Sequence, residues 1–166
     1  MRRRHPLPRL WLMTDERLGD RLWDALDRLP AGAGIVFRHY SLGVEERQAL
    51  FDEVRRRLPE ALLVSAGGLL RGADGVHNAT GPGLRTASAH NLRELRRAER
   101  RGADLVFLSP VYRTRSHPGA RPLGPRRLAH LARQTRLPVV ALGGMDAQRF
   151  RGLRGAYGWA GIDAFA

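Results

Sequence analysis

Eight short apolar runs, four to eight residues each, recur along this chain at 10–15, 34–37, 61–66, 73–77, 84–90, 104–111, 137–144 and 157–163. Between most of them apolar residues return at helical spacing. Leu18, Leu22, Ala25, Leu26 and Leu29 do so up to Pro30, and Leu50, Phe51, Val54 and Leu58 up to Pro59. Leu92, Leu95 and Ala98 follow an Asn91/Glu94 pair suited to capping a helix start, Leu128, Leu131, Ala132 and Thr135 outline a fourth helix, and Asp146 precedes Ala147, Phe150 and Leu153. Strands alternating with helices imply parallel pairing with both sheet faces covered. Eight strands favour a closed TIM (β/α)8 barrel over a flavodoxin-like open sheet, which needs fewer.

The length of 166 residues allows one domain, 1–166, and falls well below the roughly 250 usual for such barrels. The outer layer must therefore be incomplete. Only 67–72 separate the third and fourth runs, so the helices after strands 3 and 4 are expected to be reduced, and no room is left for one after strand 8.

The net charge of +13 raises the question of nucleic acid. All the basic side chains are arginine, they are spread over several helices, and no aromatic residues alternate with them to stack bases. Solvated helix faces are the better reading, so no nucleic-acid partner is expected. No run approaches the 18 or so apolar residues of a membrane span, and 10–13 is too short for a signal-peptide core. Without cysteine there are neither disulfides nor thiolate chemistry. A cytoplasmic protein is expected.

In a parallel barrel the chemistry sits where strands end. The residues there are Thr14 and Asp15; Arg38 to Tyr40; Ser65 and Ala66; His77 and Asn78; Ser88 and His90; the loop from Ser109 to His117; Gly143 and Gly144; and Ile162 with Asp163. Arg38 can fork onto phosphate oxygens, and Thr114 and Ser116 can donate hydroxyl bonds. Gly143 and Gly144 fit either a phosphate cradle at a helix start or a plain tight turn. His90 and His117 could exchange protons near neutral pH, whereas His77 reads as a packing histidine.

Several of these stretches together resemble the thiamine phosphate synthase family and its sister, the thiazole tautomerases: LWLMTD, Phe37-Arg38, ADGVH at 73–77, SAH at 88–90, GADLVFLSPVY with Thr114, and PVVALGGM from Pro138. The resemblance implies a TIM barrel that joins a pyrimidine pyrophosphate to a thiazole phosphate, releasing pyrophosphate through a carbocation-like pyrimidine. It implies that Arg38, Thr114, Ser116 and His117 serve the pyrophosphate, that Ser88 lies beside the reacting centre, that Gly144 lies under the thiazole phosphate, and that His90 matches the tautomerase acid–base histidine. Mg²⁺ is the cofactor it implies.

The chain departs from the family pattern at Val36 and Tyr40, where glutamine and lysine are usual, and at Ser65-Ala66, which replaces Asn-Asp. A second metal aspartate is absent from 78–84, His117 replaces a lysine, and Asp163 a small hydroxyl residue. These losses leave the metal ligands unknown, make Mg²⁺ doubtful, and single out Arg113, Arg115 and Arg121 as substitute charges. Three readings stay open: a divergent synthase, a tautomerase using His90, and a binding barrel without catalysis. Oligomeric state is not legible.

Overall fold

A computed structural model describes residues 6–115 and 118–165. Eight parallel strands close into a barrel in sequence order: β1 Leu10–Met13, β2 Gly34–Phe37, β3 Leu62–Ala66, β4 Gly75–His77, β5 Leu84–Ala89, β6 Leu105–Leu108, β7 Val139–Ala141 and β8 Gly158–Gly161. The ring closes where β8 pairs with β1, Trp159 opposite Leu10. The helices are α1 Arg21–Asp27, α2 Val44–Arg57, α3 Leu92–Arg100, α4 Gly124–Ala132 and α5 Ala147–Arg151.

The strands form where the sequence places its apolar runs because both their faces are covered; every residue of β2 and β6 is buried. The barrel interior is filled by large rings. Trp11 and Phe107 meet edge to face at 5.4 Å, and His77 approaches Phe107 at 5.5 Å. On the outside, the helices lay Leu22, Leu26, Phe51, Val54, Leu95 and Leu128 against the strands.

The expected gaps are present. No helix lies between β3 and β4, between β4 and β5, or after β8 among the described residues. The outer face of β5 shows the consequence, since Arg85 and Ala87 there remain only half-buried. Three elements are shorter than the sequence suggests. β6 ends at Leu108 because Pro110 has no N–H to continue the ladder. β7 stops before the turn at Leu142 to Gly144. The first helix is split: Asp15 caps a short 3-10 turn, Glu16–Leu18, and α1 begins only after Gly19. Asn91 and Asp146 cap α3 and α5 as their spacing predicts, each side chain accepting a backbone N–H three residues on.

Candidate active site

The carboxyl ends of the strands surround a cavity of about 470 Å³. Arg38, Ser88, His90, Thr114, Gly143 and Gly144 all line it, although they come from four different strand ends, those of β2, β5, β6 and β7. Ser116 and His117 lie outside the described residues.

Arg38 leaves β2 and is held from β1. Its backbone N–H donates to Thr14 Oγ1 at 2.9 Å, its Nε to Thr14 O at 2.9 Å, and its Nη2 to Asp15 Oδ2 at 2.9 Å. The guanidinium is 19% exposed. Burial lowers its pKa, with Asp15 acting in the opposite direction, yet an arginine stays charged at any working pH. The two side-chain bonds, to Thr14 and Asp15, leave guanidinium donors over for a ligand. Asp15 is also held by Arg17 at 2.9 Å. Burial alone would raise its pKa, but the hydrogen bonds from Arg17 and the charges of Arg17 and Arg38 bring it below the usual range.

Further round the ring, β4 and β5 place His77, Thr86 and Ser88 on the inner face. His77 pairs in register with Thr86, and Ser88 follows two residues later. Ser88 N donates to Asn78 Oδ1 at 2.7 Å, which orients the Asn78 amide. Its Nδ2 then faces His77 Nε2 at 3.1 Å, making Nε2 the acceptor and Nδ1–H the donor to Thr86 Oγ1 at 2.9 Å. Ser88 Oγ lies 3.1 Å from the same Nε2 and is oriented as donor to it. Burial, then the charge of Arg38, pushes the His77 pKa down to about 3, so the ring is neutral at pH 7. Asn78 holds this geometry in a left-handed backbone, φ 54.

The packing reading of His77 holds, but His77 also fixes Ser88. That role was missed from sequence. The period-two alternation of 84–90, set beside 75–77, is the signal that puts the three groups on one face.

His90 stands on the rim, its side chain 57% exposed, with Nδ1 2.8 Å from Glu94 Oε2. Burial would raise the Glu94 pKa, but bonds from the His90 side chain and backbone lower it. This is a histidine with one ring nitrogen held by a carboxylate and the ring at the cavity edge, an arrangement suited to proton transfer.

The β6 and β7 loops interlock. Tyr112 N donates to Gly143 O at 3.0 Å. Gly143 and Gly144 have φ of +94 and +61, and a Cβ would meet Pro110 Cα at 2.8 Å or Arg113 O at 2.5 Å, respectively. The double glycine is therefore required by the close approach of the two loops as well as by its backbone conformation. Arg149 donates to Gly144 O. The anticipated positive helix end is not available as pictured: α5 has five residues, and Asp146 already accepts from Arg149 N.

Arg113 and Arg115 also line the cavity. Arg121 does not. Tyr40, in place of the family lysine, is 60% exposed and lies against Gly67 instead. Ser65 closes its own turn, donating to Gly68 O at 2.7 Å and accepting from Leu70 N at 3.2 Å.

The Mg²⁺ implied by the resemblance does not fit the donors present. Asp74 sits at the opposite end of the barrel, before β4, accepting from Leu63 N and Arg55. Asp15 is tied to two arginines, and among the described residues Asp163 is the one carboxylate lining the cavity. Among the described residues no three His, Cys, Asp or Glu side chains group to hold a metal.

A larger groove of about 590 Å³ runs along the outer face of β5 beside α3, where no helix follows β4. It shares with the mouth only Asn78 and Ser88, and its other polar groups come from the β4–β5 loop, β5 and the α3 segment: Thr80, Arg85, Thr86, Glu94, Arg97 and Arg101. The strand-end groups converge on the smaller cavity.

Residues 71–165 match the family described as thiamine monophosphate synthase. The chain belongs to that family. It is 34% identical to the putative thiamine-phosphate synthase 2 of Aquifex aeolicus, over 96% of this chain and 98% of that protein. With the thiamine-phosphate synthase of Pyrococcus furiosus it shares 29% identity, covering 86% of this chain and 78% of the other. Among solved structures, the thiamine phosphate pyrophosphorylase from Pyrococcus furiosus superposes with a TM-score of 0.79 at 26% identity, over 95% of this chain and 86% of that one. At family level this is an enzyme, a transferase of thiamine biosynthesis. No helix among the described residues is long and apolar enough to cross a membrane.

Proposed function

We propose that this chain, acting as one barrel domain over 1–166, joins a hydroxymethylpyrimidine pyrophosphate to a thiazole phosphate and releases pyrophosphate. The carrying observation is the convergence of Arg38, Ser88, Thr114 and Gly144 on one cavity. In this reading the carbon–oxygen bond to pyrophosphate breaks, and the thiazole nitrogen supplies the electron pair that forms the new carbon–nitrogen bond. Arg38 meets the charge developing on the leaving oxygens, pre-oriented by Asp15 and Thr14 so that little reorganisation is needed. Thr114 adds a hydroxyl from the β6 loop across the cavity. Ser88, whose hydroxyl hydrogen is directed at His77 Nε2, offers its oxygen to the pyrimidine as an acceptor. The partners are thus small phosphorylated molecules met in the cytoplasm, and the surface arginines are solvated.

Incubating the pure protein with both substrates should yield thiamine phosphate and pyrophosphate in equal amounts. No product, alongside an active reference synthase, would remove this reading.

The His90–Glu94 pair favours a second reading, a thiazole phosphate tautomerase in which His90 moves the proton. Its sign would be isomerisation of the thiazole without any pyrimidine substrate, abolished in His90→Ala.

A further inference from the structure

The failure of the donor set to fit Mg²⁺ leaves open how the mouth meets a diphosphate. We propose that it binds a diphosphate without a divalent cation, the charge being met by the guanidinium groups of Arg38, Arg113 and Arg115. This rests on the transferase reading for its biological substrate, but not for the binding itself.

Among the described residues, three arginines and a single carboxylate, Asp163, line the cavity. Of the nearby carboxylates, Asp15 is bonded to both Arg17 and Arg38, and Glu94 is engaged by the His90 ring and backbone N–H. A divalent cation entering here would face net positive charge and find no pair of free carboxylates, whereas Mg²⁺ is usually held by one or two carboxylates together with substrate phosphates. Arg113 and Arg115 have no ion-pair partner among the described residues. Their donors are therefore available to the ligand.

Arg38 differs, being buried and held by β1, so it acts as the fixed anchor while the two loop arginines approach from the β6 side. Guanidinium groups bond phosphate oxygens in a bidentate way. They and Mg²⁺ would compete for the same oxygens. The sign of the metal effect is thereby reversed: Mg²⁺ should leave the affinity for a diphosphate unchanged or weaken it.

Titration calorimetry of the full chain with inorganic pyrophosphate tests this, once in EDTA and once in excess Mg²⁺. Binding in EDTA is expected, with Mg²⁺ giving equal or lower affinity. The Arg113→Ala/Arg115→Ala double variant should bind at least tenfold more weakly, while Arg96→Ala, on the outer face of α3, should bind as the wild type does. Both loop arginines are exposed, so folding should survive; circular dichroism checks it. Absent binding in EDTA, a strengthening by Mg²⁺ of more than threefold, or an unaffected double variant would overturn the proposal.

The two-substrate assay separates this inference from the functional reading. Tight metal-free binding without product would remove the transferase and leave the diphosphate site. Product formed only with Mg²⁺ would do the reverse.

Discussion

The two sides of the barrel mouth are built differently. On the side of β1, β2, β4 and β5, Arg38 and Ser88 are held by strand-borne neighbours: Thr14 and Asp15 for the one, His77 and Asn78 for the other. On the side of β6 and β7, Arg113 and Arg115 stand exposed on a loop that packs on Gly143 and Gly144 and is tied to the start of α4 by Leu123 N and Gly124 N. The contrast teaches that one family site can combine a fixed half with an adaptable one. In the proposed reaction the fixed half would orient the reacting groups, and the loop half would supply charge.

Breaking the fixed half should have the largest effect. Arg38→Ala removes charge-assisted bonds worth about 3 kcal/mol, so kcat/KM for thiamine phosphate formation should fall about 100-fold. A variant within threefold of wild type would show that the anchor lies elsewhere.

His77→Gln should cost about 2 kcal/mol of stability in urea unfolding, since Thr86, Asn78 and Ser88 lose a shared partner. The substitution also has a pH signature. The His77 pKa is about 3 in the fold against an ordinary 6.5, so the unfolded chain binds the proton first. Its contribution is complete above about pH 6.5 and falls on acidification toward pH 3, by up to about 1.4 kcal/mol per pH unit. The variant should show a flatter decline than the wild type; parallel declines would mean that His77 is not the neutral, buried ring described.

The loop half should respond more mildly. Gly144→Ala puts a side chain at φ +61 and 2.5 Å from Arg113 O, a strain of about 1–2 kcal/mol. It should lower the melting temperature and weaken pyrophosphate binding together by displacing Arg113. A loss of stability with unchanged binding would uncouple the two loops. At the far end of the scale, Arg96→Ala breaks an exposed pair with Glu99 and should change stability by only about 0.3 kcal/mol.

The fold was legible because burial on both faces makes each strand an apolar run, and because helix starts carry their caps in sequence at Asn91 and Asp146. Strand ends were less legible. The regular strands β6 and β7 stop at Leu108 and Ala141, although apolar character continues and irregular bonds such as Val111 N to Leu142 O at 2.9 Å carry on past them. Of the site, Arg38, Ser88, Thr114 and the glycines could be picked out because strand ends meet at the mouth of a barrel. The Asp15–Arg38 ion pair and the His77–Ser88 link were not, because they depend on the register between neighbouring strands. Nor could sequence show that Arg113 and Arg115 reach the cavity while Arg121 does not, since a loop has no period from which direction can be read.

The most direct test of the central claim, that distant segments form one anion-binding mouth, is a two-dimensional NMR titration of the protein with inorganic pyrophosphate. The account predicts shifts that saturate together for amides near Arg38, Ser88, Thr114 and Gly144. Shifts confined to the arginine-rich outer faces of α3 and α4 would contradict it.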